Sequence, residues 1–96
     1  MPGAYWIAHV TVTDAEAYGK YAEGAGPAIA KFGGKFLARG TAYKQLEGND
    51  RARNVVAFFP SLQAAEDCYN SPEYQAALQH AIGAAERDLV IVEAME

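Results

Sequence analysis

The sequence predicts an α+β domain whose elements run β-α-β-β-α-β around one four-stranded antiparallel sheet. Three observations predict it. Four stretches are rich in aromatic and β-branched residues, the segments after the first and third carry apolar residues at spacings of three and four, and glycine, proline or a capping residue stands at the junctions. Strands joined in this way, with both helical regions on one side, give the split β-α-β arrangement of a ferredoxin-like unit. Ninety-six residues suit a single domain, residues 1–96, and leave no room for a second core.

Residues 4–12, Ala-Tyr-Trp-Ile-Ala-His-Val-Thr-Val, contain no glycine or proline and read as the first strand. Thr13 and Asp14 then offer a helix cap, and Glu16 suits the dipole of the first turn. Tyr18, Tyr21, Ala22, Ala25, Ile29 and Phe32 build one apolar helical face. Gly24, Gly26 and Pro27 interrupt it, which predicts a kink or a two-piece helix, because proline lacks the backbone donor and crowds the preceding turn. Gly33-Gly34 is a stop. The second strand is expected over Lys35–Glu47, with Gly40 marking a bulge or a close approach of backbone. Gly48-Asn49-Asp50 is turn chemistry, Arg53–Phe59 reads as the third strand, and a short connection makes the two an antiparallel hairpin. Ser61 caps a short helix that Asn70 breaks, and Ser71-Pro72-Glu73 starts another whose buried face is expected to be Tyr74, Ala77, Leu78, Ala81 and Ile82. Asp88 opens the last strand, Leu89–Ala94.

The strands also predict what covers the sheet. Trp6, Ala8, Val10 and Val12 alternate with Tyr5, Ile7, His9 and Thr11, while the third and fourth strands are apolar on both sides. A sheet with one wet face shows cleaner polar alternation. Helices cover one face, so the other is expected to meet the same face of a second copy, burying on the order of 800 Å² per partner. A surplus of large apolar groups agrees: 51% of the residues are hydrophobic, in a chain short enough to bury only roughly 60–65% of its unfolded surface.

Composition excludes several classes of function. Eight Lys and Arg against twelve Asp and Glu give a net charge of −4, and the basic residues are scattered rather than gathered into the stripe that phosphates require, so nucleic acid is not expected as a partner. No apolar run reaches the ~18 residues of a membrane span. The opening residues show no basic segment followed by an apolar one, so no signal peptide is expected and a reducing cytoplasm is the default location. Cys68 is the single cysteine, which rules out an intrachain disulfide and argues against structural zinc. There is no cluster of His, Asp and Glu at metal-ligand spacing, no phosphate loop and no nucleophile elbow, so no metal and no cofactor is expected.

Three segments in order, Ala-Tyr-Trp-Ile-Ala-His-Val-Thr-Val-Thr-Asp at 4–14, Gly-Gly-Lys-Phe-Leu-Ala-Arg-Gly at 33–40 and Cys-Tyr-Asn-Ser-Pro-Glu-Tyr-Gln at 68–75, resemble the domain of unknown function 1330 family over essentially the whole chain. The resemblance implies a dimeric α/β barrel, in which the sheets of two ferredoxin-like subunits pack face to face with the helices outside. The wider superfamily includes antibiotic-biosynthesis-type monooxygenases, haem-degrading enzymes, muconolactone-isomerase-like proteins and stress-response barrels. It implies a small-molecule pocket between a subunit's sheet and its helices.

His9 and Arg39 are the candidate catalytic residues. His9 stands mid-strand among apolar neighbours, where an imidazole serves proton transfer near neutral pH; the alternative is a packed or hydrogen-bonded histidine, or one at the dimer seam. Arg39, within its strand, needs a partner, either a carboxylate ligand gripped by its planar fork or Glu47 or Glu93 across strands or between subunits. Tyr18, Tyr21, Tyr69 and Tyr74 are candidate substrate contacts, since small ligand sites are walled by aromatic groups with a few polar tips; equally, they suit a helix's buried face. Trp6 reads as core, His80 as solvated and Cys68 as inert. Together these features predict a cofactor-independent enzyme acting on a small acidic or phenolic metabolite in a cleft between sheet and helices. The alternative is a dimer that binds a metabolite or protein without chemistry.

Overall fold

The computed structural model describes residues 2–40 and 42–96. Its elements are β1 (Ala4–Val12), α1 (Ala15–Lys31), β2 (Lys35–Arg39), β3 (Arg53–Phe59), α2 (Leu62–Asn70), α3 (Pro72–Leu78) and β4 (Ala85–Glu93). The strands form one antiparallel sheet in the order β2-β3-β1-β4, the expected ferredoxin-like arrangement with its second helical region in two pieces. β1 lies at the centre. It pairs with β3 from Ala4↔Phe59 to Val10↔Arg53, and with β4 from Ala4↔Glu93 to Val12↔Ala85.

Directly opposed residues on paired strands point to the same face. Trp6, Ala8 and Val10 of β1, with Val55, Ala57 and Phe59 of β3, therefore share the face that the helices cover, and all six are buried. Trp6 sets its indole against Phe59 at 5.6 Å and against the edge of Tyr74 at 5.2 Å. The opposite face carries no helix. Tyr5 and Phe58 meet edge to face there at 5.4 Å, and Val90 and Val92 are 54% and 45% exposed. Principal dimensions of 37 × 33 × 17 Å match one sheet with one layer of helices.

Each helix starts on a side-chain cap. Asp14 accepts from Ala17 N, and Ser61 accepts from Ala64 N. The Ser71 hydroxyl accepts from Tyr74 N at 3.1 Å and donates to the Cys68 carbonyl at 2.7 Å, so one side chain ends α2 and begins α3. Cys68 itself is buried, and burial, reinforced by the charge of Glu73, pushes its thiol up to about 11. It stays a protonated, inert packing residue, as expected.

The structure departs from the sequence reading in four places. α1 is one continuous helix through Pro27, so of the two expected outcomes the division into two pieces does not occur. Pro27 and Glu23, whose carbonyl loses its partner, are both exposed, so water can take that carbonyl's hydrogen bond. β2 ends at Arg39, well short of Glu47, because β3 begins only at Arg53 and offers no further partner. Gly40 turns away at φ +62 while its N–H still bonds the Asn54 carbonyl, and the sheet irregularity falls between Phe36 and Ala38. The connection to β3 is therefore the long segment 40–52 rather than a tight hairpin turn, and Thr41 within it lies outside the described residues. α3 ends at Leu78, whose carbonyl takes bonds from both Ala81 N and Ile82 N as the chain tightens toward Gly83 at φ +81. Ala81 is buried, but Ile82 is 66% exposed. β4 opens three residues before Asp88, because β1 pairs along its full length.

Two glycines of α1 test the packing of that helix on α3. A methyl at Gly24 would stand 2.8 Å from the Ala77 methyl, whereas at Gly19 it would meet nothing. Gly19→Ala should stabilise by about 0.5–1 kcal/mol through helix propensity. Gly24→Ala should lose that gain and more to the clash, giving opposite shifts in the urea midpoint.

Candidate functional site

The site grows from the register of β1. Val10 is paired on one side with Arg53 of β3 and on the other with Arg87 of β4, and it faces the helices. Both arginines therefore point to the helix side, with backbones about 10 Å apart across the intervening strand. Arg39, opposite Val55 two residues along β3, adds a third guanidinium from β2. Above them α1 contributes Tyr18, Tyr21, Ala25 and Ile29, whose spacing puts them on its sheet-facing side. Between helix and sheet remains a cleft floored by Trp6, Ala8 and Val55 and lined by all three arginines, with an enclosed volume of about 30 Å³.

No Asp or Glu lines this cleft among the described residues. The two ion pairs found among the described residues, Lys31 with Glu73 and Arg51 with Asp88, lie outside the cleft and use none of Arg39, Arg53 and Arg87. Aromatic rings take the place of counter-charges. The Arg39 guanidinium lies 4.5 Å from the Phe36 ring centre, Arg53 5.5 Å from Tyr18, and Arg87 4.7 Å from Tyr21. Such stacking contributes about 0.5–2 kcal/mol each, but it leaves N–H groups unused. The Nε atoms of Arg53 and Arg87 are buried without a partner among the described residues.

Arg87 is tied to a pair of phenols. Its Nη2 donates to the Tyr21 oxygen at 2.9 Å and to the Tyr74 oxygen at 3.2 Å, and the two hydroxyls lie 2.7 Å apart. Hydrogen accounting fixes the direction of that last bond. Tyr74 is fully buried, and its hydroxyl meets only Tyr21 and Arg87. If Tyr21 donated, the Tyr74 proton would have no acceptor, at about 1–3 kcal/mol. Tyr74 therefore donates to Tyr21. Tyr21 accepts from Tyr74 and from Arg87, and its own proton is free for the cleft that it lines. Burial pushes the Tyr21 hydroxyl well above the ordinary phenol range; Tyr74 adds to the rise and Arg87 opposes it. Tyr74 is raised as well, by burial first, against the influence of the Tyr21 hydroxyl and of the Arg87 guanidinium beside it. Both phenols are neutral near neutral pH and act as donors rather than bases.

The sequence-predicted residues divide between two faces. Arg39, Tyr18 and Tyr21 line the cleft, and Tyr74 stands behind Tyr21. Tyr69 does not line it. It is 37% exposed, touches Trp6 and Tyr74 from the far side, and borders a shallower depression between α2 and β4 with Glu66, Leu89 and Ile91. His9 is separated altogether. Its strand parity puts it on the helix-free face, exposed, with Nδ1 2.7 Å from the Asn54 side-chain oxygen Oδ1. The expected partnership of His9 with Arg39 in one cleft is not formed. Nor is an ion pair of Arg39 with Glu47 or Glu93 found among the described residues.

Arg53 and Arg87 were not singled out in the sequence, although a signal was present. Arg53 shares parity with Val55, Ala57 and Phe59, and Arg87 with Leu89 and Ile91, so each charge falls on the side of its strand that packs inward. Among the described residues no group of three or more His, Cys, Asp and Glu could hold a metal ion. No helix is long and apolar enough to cross a membrane.

The family described as "Domain of unknown function (DUF1330)" matches residues 3–95. The chain belongs to this family. DUF1330 membership accords with the likeness to solved structures. One is the RPA0582 protein of unknown function from Rhodopseudomonas palustris, at 23% identity and a TM-score of 0.80, covering 99% of this chain and 84% of that one. Another is SnoaB, a cofactor-independent oxygenase from Streptomyces nogalater, at 11% identity and a TM-score of 0.70, covering 100% and 96%. A third is a dimeric protein of unknown function with a ferredoxin-like fold from Bacteroides fragilis, at 16% identity and a TM-score of 0.65, covering 96% of each chain. These likenesses establish the ferredoxin-like fold of this DUF1330 chain. No curated protein matches it.

The direction of the phenol hydrogen bond has a measurable consequence. Tyr21→Phe strands the buried Tyr74 proton and should cost about 1–3 kcal/mol in urea unfolding. Tyr74→Phe should cost clearly less, since Tyr21 keeps Arg87 and can turn to the cleft.

Proposed function

We propose that the chain is a homodimeric, cofactor-independent enzyme that acts on a small acidic or phenolic metabolite held between α1 and the sheet. The observation that carries this reading is the set of three arginines without counter-charges, Arg39, Arg53 and Arg87, held against aromatic rings in one cleft. Fixed donors of this kind stabilise negative charge that develops on a bound oxygen, and they act most strongly where water is excluded. The oxygenase activity named for SnoaB, on the same fold and without a cofactor, supports the class of chemistry.

The roles differ from those expected of His9 and Arg39. No carboxylate or imidazole lines the cleft among the described residues, and Tyr21 is too weak an acid to be ionised. The chain offers an oxyanion-stabilising set with no evident base, so reaction relies on a ligand that ionises readily itself, as an acidic phenol or enol does. Tyr21 donates to a ligand oxygen, Arg39, Arg53 and Arg87 balance its charge, and Trp6, Tyr18 and Phe36 hold its apolar body.

The test is a thermal-shift screen of small carboxylates and phenols with the full chain, followed by incubation in air and mass analysis of each compound that binds. A compound that raises the melting temperature and is recovered oxidised or rearranged supports the enzyme. Recovery of every binding compound unchanged overturns catalysis in favour of a metabolite-binding dimer.

The helix-free face supplies the reason for pairing. Tyr5, Ile7, Val56, Phe58, Val90 and Val92 form a continuous apolar field there, and a second copy of the same face is the simplest cover. A cytoplasmic setting suits a chain with one buried thiol. Val90 is 54% exposed in the single chain, so Val90→Asp costs the isolated fold little. At micromolar concentration the parent chain should sediment as a dimer and the variant as a monomer with its circular dichroism intact. A monomeric parent would overturn the pairing.

A further inference from the structure

The cleft's chemistry specifies its ligand more closely, and we infer that it takes a small carboxylate with a compact apolar body. This rests on the proposal that the cleft is the ligand site. Its charged lining is entirely of one kind. Arg39, Arg53 and Arg87 have donors only, and the Tyr21 proton is directed outward by its bonds from Tyr74 and Arg87. Buried Nε atoms on Arg53 and Arg87 lack acceptors among the described residues. A neutral phenol brings one weak acceptor to these groups, whereas a carboxylate brings two strong ones and the missing charge.

Overall charge makes the concentration meaningful. A chain of net charge −4 repels anions in general, yet it gathers three of its eight basic residues around one small space. The enclosed volume of about 30 Å³ suits a group the size of one carboxylate, since a single water needs roughly 10–15 Å³ by this measure. The rest of the ligand then packs against the apolar part of the lining, Trp6, Ala25, Ile29 and Phe36. Phosphate is less well served. The start of α1 carries the carboxylates of Asp14 and Glu16, and Asp14 caps Ala17 N, so negative charge opposes phosphate at that helix terminus.

Calorimetric titration of the full chain with benzoate, its uncharged isostere benzamide and inorganic phosphate tests the inference. Benzoate should bind at least about tenfold more tightly than either of the others, the scale of one charge-assisted hydrogen bond. Arg53→Gln should lower benzoate affinity by a similar factor and leave benzamide unaffected. Melting of the ligand-free variant checks its folding, and the exposed Arg39→Gln gives the same comparison should the first variant unfold. Equal binding of benzoate and benzamide, or tighter binding of benzamide, overturns the carboxylate preference and leaves the cleft as a ligand site. Phosphate binding as tight as benzoate overturns it too. If none of these probes binds, and no phenol or carboxylate shifts the melting temperature, the cleft reading fails with it.

Discussion

The central strand governs this molecule. β1 is hydrogen-bonded along its length to β3 and β4, and its two-residue alternation fixes which side chains of all three strands look toward the helices. That pairing buries Trp6, Ala8 and Val10 and also draws Arg53 and Arg87 to either side of Val10. A slip of one residue by β3 and β4 against β1 would send both guanidiniums to the helix-free face, beside His9 and away from the helices. The core and the cleft are therefore two results of one register. The apolar positions make that register costly to change, and the arginines share its stability.

Much of the fold was legible in the residues because local signals agreed with one another. The bounds of β1 and β3, the caps at Asp14, Ser61 and Ser71 and the stop after Lys31 come from short-range chemistry that tertiary structure did not override. The failures lie where a distant partner decides. The length of β2 depends on where β3 begins, and that of β4 on how far β1 extends. Pro27 reads as a break in isolation, but on the exposed side of a packed helix the lost hydrogen bond is open to solvent.

The site was legible only in part, for a similar reason. Tyr18, Tyr21 and Arg39 could be placed near a cleft from helical spacing and strand position. His9 drew attention as a titratable group on an apolar strand, yet the face on which it stands carries Tyr5 and Ile7, not the helices. Arg53 and Arg87 sit at strand ends beside polar neighbours, where a charge looks ordinary until register shows that it points inward. An inward-facing cation without an acid opposite says more about ligand chemistry than a histidine exposed on the other side of the sheet. A fold shared by an oxygenase and by proteins of unknown function cannot by itself choose among activities. The donors of the cleft narrow that choice.

Ser71 links this cleft to a junction far along the chain. Its hydroxyl closes α2 through Cys68 and opens α3 through Tyr74, and the Tyr74 hydroxyl in turn orients Tyr21 and engages Arg87. Three hydrogen bonds, joined through the Tyr74 side chain, thus run from a helix corner to the proton offered in the cleft. The two short helices act as a bracket that aims a phenol, and a loosened corner would first be felt as a misdirected hydroxyl.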